Sequence, residues 1–236
     1  MSNQTAQRIR VGDVINEAFS IYGQNLGALI GGALLVFVVV GVVSGLLEDA
    51  GGFLAGIVAA IVRLVGFAIY TGFVVRLVQD VRDGRRDQSV GDLFSAASPA
   101  ILGLIVFGVL YGVAVGIGLV FLIVPGLILA TFWAVGAPAI VVEGISGLDA
   151  FGRSWGLVKG DAWSVFGALV VALVIVIVVG GVLSAIAHPI GLGATLIAAI
   201  VSSVLTAPVF ALVNSVMYYD LSGGGVEGQG AAAPLS

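Results

Sequence analysis

The sequence predicts an all-α integral membrane protein of six transmembrane helices, arranged as three hairpins, each preceded by a short amphipathic interfacial helix. Three observations carry this reading. Of 236 residues, 60% are hydrophobic and 9% charged, with a mean hydropathy of +1.21. A soluble domain carries about 25% charged residues, because water must solvate its surface. The charges are also segregated, with none at residues 18–47, 93–142 or 162–219. Finally, apolar runs such as Leu34 to Val40 and Val170 to Val179 do not alternate, as the strands of a transmembrane β-barrel would. In lipid only a helix or a closed barrel satisfies its own backbone, so helices remain.

A crossing takes roughly 20 apolar residues for a hydrocarbon core about 30 Å thick. The first charge-free stretch holds one crossing, at 26–47, and residues 52–75 supply a second. The 50 uncharged residues at 93–142 and the 58 at 162–219 each hold two, at 100–120, 122–142, 165–187 and 190–216. Pro125-Gly126 and His188-Pro189 mark the second and third hairpin turns. Residues 1–10 are polar and the apolar stretch that follows exceeds a signal-peptide core, so it reads as an uncleaved first span. Residues 1–221 form one domain, and 222–236 are a low-complexity tail expected to be disordered.

An internal repeat covers approximately 11–80, 89–143 and 146–220. Its second and third units open on Ser89-Val90-Gly91-Asp92 and Ser146-Gly147-Leu148-Asp149. Ser-x-x-Asp is a variant of the capping box, in which the serine accepts from an orphan backbone N–H. The first unit, at Arg10-Val11-Gly12-Asp13, keeps the aspartate alone. Val11, Val14, Ile15, Ala18, Phe19 and Tyr22 then share one helical face. In the third unit Leu148, Phe151, Trp155 and Val158 form the stripe.

Orientation follows from the basic residues, which stay in the cytoplasm. Arg8 and Arg10 precede span one. Arg76, Arg82, Arg85 and Arg86 follow span two, and Arg153 and Lys159 follow span four. These are eight of nine basic residues, all on one side if there are six spans. The opposite loops hold Glu48, Asp49 and His188. The expected location is the cell membrane, with both termini cytoplasmic.

The ninth basic residue, Arg63, is the one charge inside a span. No acid is expected at its depth, which leaves Thr131, Ser202, Ser203, Thr206 and carbonyls freed by Pro138 or Pro208 as partners. Two readings stand: Arg63 holds an anionic group such as a lipid phosphate, or it pairs structurally with carbonyls and hydroxyls. Glu143, at the end of span four, is placed to bridge to Arg153 ten residues on. His188 precedes a proline in a turn. A zinc site needs several His, Cys or carboxylate ligands, and the chain has no cysteine, one histidine and no Gly-x-x-x-x-Gly-Lys loop. No catalytic residue, metal or cofactor is expected. Among 36 glycines, Gly27/Gly31, Gly41/Gly45, Gly52/Gly56 and Gly108/Gly112/Gly116 have the spacing that lets helix backbones approach. Packing within the bundle is their expected use. Trp163 and Tyr218-Tyr219 fit an interfacial aromatic belt.

Pro125-Gly126, Ala137-Pro138-Ala139-Ile140-Val141-Val142-Glu143-Gly144, the run Arg153-Ser154-Trp155-Gly156-Leu157-Val158-Lys159-Gly160 and the closing Tyr218-Tyr219-Asp220-Leu221 carry a resemblance. Together they resemble the membrane domain fused to some glycerophosphoryl diester phosphodiesterases, and stand-alone YciC-like uncharacterised prokaryotic membrane proteins. The similarity in wording is confined to 125–160 and 218–221. It implies a six-helix prokaryotic membrane protein. Catalysis in that family belongs to a separate soluble barrel that this sequence lacks, so the resemblance does not transfer phosphodiesterase activity.

The expected function is non-enzymatic: a lipid-associated scaffold or partner subunit in the cell envelope. Its expected partners are membrane lipids and another membrane or envelope protein, with no nucleic acid. The alternative is a transporter or permease for a small anionic or amphipathic solute.

Overall fold

A computed structural model of the chain describes residues 9–84 and 88–223. Arg8, Arg85, Arg86 and the tail from 224 onward lie outside the described residues. Ten α-helices and no strand occur among them: α1 (Val11–Gln24), α2 (Leu26–Asp49), α3 (Phe53–Arg82), α4 (Val90–Ala97), α5 (Ile101–Phe121), α6 (Ile123–Phe132), α7 (Gly136–Glu143), α8 (Asp149–Val158), α9 (Ala162–Ala187) and α10 (Leu192–Leu221). Six stretches are long and apolar enough to cross a membrane: Leu26–Asp49, Phe53–Arg82, Val90–Phe121, Ile123–Glu143, Ala162–Ile190 and Ile200–Leu221. Leu35, Val39, Leu46, Phe53, Leu54 and Val120 are all exposed. Such a sheath is compatible with a hydrocarbon solvent and would drive aggregation in water.

α2 packs along α3, α5 along α6, and α9 along α10. The core lies where α3 and α10 meet the rest. Phe73 enters the space left by Gly32 and stacks on Phe94, ring centroids 4.5 Å apart. The fully buried Tyr70 donates its hydroxyl to the Leu29 carbonyl at 3.1 Å. The Ser89 hydroxyl accepts from Asp92 N–H and the Asp92 carboxylate from Ser89 N–H, which completes the capping box at α4. Ser146 accepts from Asp149 N–H at 3.2 Å and donates to its carboxylate at 2.7 Å.

Several expectations need correction. The second inter-helix turn is the single extended residue Leu122, and Pro125-Gly126 already lies inside α6. Proline is tolerated there because the first N–H groups of a helix have no intrahelical acceptor. A Cβ on Gly118 would sit 2.8 Å from the Gly126 Cα, so the turn closes only because both residues are glycine. Span two runs on to Arg82, which places Arg76, Asp80 and Arg82 on helical turns instead of in a loop.

Span four is discontinuous. It breaks at Trp133, Ala134 and Val135 into α6 and α7. Pro138 has no N–H for the Ala134 carbonyl, and its ring would collide with that carbonyl in a continuous helix. The proposed glycine pairs do not pack. A Cβ on Gly27, Gly31, Gly41, Gly45, Gly52, Gly56, Gly112 or Gly116 would meet nothing within 4 Å, and one on Gly108 only Leu64 at ordinary contact. The tightly packed glycines are others, among them Gly32, Gly66, Gly136 and Gly147.

In the short helices, part of each apolar stripe is buried against the bundle and part is exposed. In α1 the buried residues are Val14, Ala18 and Ile21, and Phe19 is exposed. In α8 they are Ala150, Ser154 and Val158, while Leu148 and Trp155 face outward.

Candidate functional site

Three features concentrate the polar chemistry. The first is a latch beneath the break in span four. At the break, Gly136 N–H bonds to the Trp133 carbonyl, so it does not continue the helical ladder to Phe132. The buried Ser154 hydroxyl donates to that Phe132 carbonyl at 2.8 Å. Next to it, Trp155 stacks on the Phe132 ring at 4.0 Å, and Arg153 Nε donates to both Glu143 oxygens at 2.8 and 2.9 Å. Three consecutive residues of α8 thus hold the two halves of one broken span. Tyr218, from α10, donates to Glu143 Oε1 at 2.7 Å. Phe151 adds ring contacts to Phe107 and Trp133 at 4.6 and 4.7 Å.

The second feature lies at the same end of the bundle. Arg82, on the last turn of α3, sits between Glu17 of α1 at 2.7 Å and Asp220 of α10 at 3.0 Å. Its guanidinium carbon lies 5.2 Å from the Tyr219 ring centroid, within cation–π range. Burial pushes the Glu17 carboxyl above its usual value of 4.5. Arg82 pulls it down by less, and Asp220, sharing the same guanidinium, raises it again.

The sign follows from proton linkage. Folded Glu17 holds its proton at pH values where the unfolded chain has released it. The stability this contributes is present below the unfolded carboxyl range and lost as pH rises through the raised value. The resistance of α1 to amide exchange should therefore weaken as pH climbs above about 4.5, once intrinsic exchange rates are divided out. Glu17→Gln should remove that dependence. An unchanged pH profile in the variant would show that another group sets it.

The third feature is a cleft of about 850 Å³ between α2, α3 and α10. Its walls are chiefly apolar, with Phe37, Val40, Phe67 and Val204 among them, and its polar side chains are Ser44, Arg63 and Ser203. Here the expectation that no acid reaches Arg63 fails. Its Nη2 lies 2.7 Å from Glu48 Oε1, and both side chains are about half exposed. α2 stays helical to Asp49, so Glu48 belongs to a spanning helix and not to a loop. Arg63 lies ten residues into α3, about 15 Å along its axis, and two long side chains close that offset. Two of the expected neutral partners bond within their own helices, Thr131 to Leu127 O and Thr206 to Ser202 O.

A smaller cavity of about 310 Å³ lies beside the break, bounded by α3, α5, α10 and the residues of the break itself. Neither Ser154 nor Asn214, which lines this cavity, stands out in the sequence. The available signal was a serine next to Trp155 and an amide inside an apolar helix. No cluster of three metal-ligating side chains occurs among the described residues.

No curated protein and no solved structure matches the chain. A family model matches residues 47–221, from the end of α2 through α10. The protein belongs to the family described as Domain of unknown function (DUF7847).

Proposed function

We propose that this is a non-enzymatic, multi-pass protein of the cell membrane that works as a lipid-associated scaffold or partner subunit, with both termini cytoplasmic. Three helix hairpins cross the bilayer, and α1, α4 and α8 lie along its inner interface. The segregation of Arg8, Arg10, Arg76, Arg82, Arg85, Arg86, Arg153 and Lys159 supports that orientation.

The observation that carries the function is the apolar cleft with Arg63 in its wall, Arg63 being paired with Glu48 outside the lining. A phospholipid with a phosphate and an ammonium fits it: the phosphate on Arg63, the ammonium on Glu48, and an acyl chain against Phe37, Val40 and Phe67. Charged groups within the membrane are costly and are held by partners, and a zwitterionic headgroup supplies both. Native mass spectrometry from mild detergent tests this, with phosphatidylethanolamine added to wild type and to Arg63→Leu. The wild type should retain the lipid and the variant should lose most of it. Equal adducts on two equally folded proteins would remove the cleft as a lipid site.

The second reading, a permease, draws its support from the interrupted span four, since transporters place solutes where spanning helices unwind. Flux into proteoliposomes is its test.

A further inference from the structure

The cavity beside the break differs from the lipid cleft in its chemistry. Its walls include the aromatic side chains Phe67, Phe107, Tyr111, Trp133 and Phe210, and no charged residue lines it. Polar residues nevertheless stand in its wall. Asn214 lines it from α10, and its Oδ1 is buried with no hydrogen-bond partner. Thr71 contributes from α3, while Ala134, whose carbonyl cannot receive an N–H from Pro138, contributes from the break. Buried polar atoms are nearly always paired, and lipid tails offer no donor.

We propose that this cavity binds a small neutral molecule with a flat apolar body and an amide or hydroxyl group that pairs with Asn214. Four considerations select that class. The volume of about 310 Å³ is at the lower end of small-molecule sites, which run from roughly 300 to 1,000 Å³. The ring faces accept a planar body in stacked or edge-on contact. An ion would be stripped of water with no counter-charge in the wall, a cost that hydrogen bonds to neutral groups offset poorly. Asn214 presents both a donor and an acceptor, which matches an amide on both sides. The site is adjacent to the lipid cleft, with Leu64 and Phe67 as a shared wall, and the two are told apart by Arg63 and Asn214, each of which lines only one of them.

The test uses the full chain in nanodiscs with Trp155→Phe and Trp163→Phe, so that Trp133 alone reports by fluorescence. The probes are benzamide and its charged counterparts benzoate and benzylammonium. Benzamide should shift Trp133 emission saturably, with both ions at least about tenfold weaker. Asn214→Leu should weaken benzamide at least tenfold while leaving the elution profile and the ligand-free Trp133 spectrum unchanged. Asn214→Asp should reverse the order and favour benzylammonium. Three results would each overturn the proposal: no saturable response to benzamide, equal binding of benzoate, or full affinity in Asn214→Leu. Should Asn214→Leu fail to fold, the order of the three probes on Asn214→Asp decides in its place.

Discussion

Arg82→Leu should release α1 from the bundle. The substitution leaves Glu17 and Asp220 facing each other across a gap that one guanidinium now fills. Removing one member of a buried ion pair costs about 3–5 kcal/mol, because the remaining charge is stranded. The carboxylates are here 41% and 26% exposed, and solvent screening reduces that figure. A loss of about 2 kcal/mol is expected, or roughly 30-fold faster amide exchange across Val11–Gln24. The apolar contacts of Val14, Ala18 and Ile21 are untouched, so α2–α10 should stay folded. Adding Glu17→Gln should restore part of the protection, since it removes one of the two like charges. If the double variant exchanges as fast as Arg82→Leu alone, the Arg82 stem and its contact with Tyr219 hold α1, and the charges do not.

Gly147→Ala should have the largest effect of any single methyl group added to the connection before α8. The new Cβ would collide with the backbone carbonyl oxygen of Gly103 and lie 3.0 Å from Phe107 N. Both are α5 main-chain atoms that no rotamer change can move. Overpacking usually costs about 1–3 kcal/mol, and a rigid obstacle places this case near 3. The consequence spreads, because Gly147 seats the turn that positions Ser154 under Phe132. Unfolding in mixed micelles of increasing dodecyl sulfate should show the loss. Gly152→Ala in α8 is the matched control: its Cβ meets nothing within 4 Å, and alanine in a helix interior should gain up to about 1 kcal/mol. Equal effects of the two substitutions would mean that the connection before α8 does not approach α5 as described.

These two glycines mark the boundary of what a sequence can say. Gly147 and Gly152 lie five residues apart in one motif, and nothing in their local pattern distinguishes them. The six apolar stretches were legible because transfer into lipid is summed residue by residue along the chain. Ser89 with Asp92, Ser146 with Asp149 and Glu143 with Arg153 were legible because their partners are three or ten residues away. Pro138 signalled freed carbonyls in span four, but not the break or the group that meets them. A broken helix needs partners for its freed carbonyls, and Ser154, 22 residues from Phe132, supplies one.

Chain-local physics thus determined the all-α, multi-span character of this protein, the approximate place of each span and the Ser-Asp pairs at the start of α4 and α8. Tertiary structure decided the rest. It paired Arg63 with Glu48 across a turn, Arg82 with Glu17 and Asp220 across three helices, and Tyr218 with Glu143 over 75 residues. It also opened one apolar cleft lined by Arg63 and placed Asn214 in the wall of a neutral aromatic cavity. The physical reason is the same in each case: hydropathy acts on a residue wherever its neighbours lie, whereas a hydrogen bond or ion pair exists only once folding brings both groups to one place.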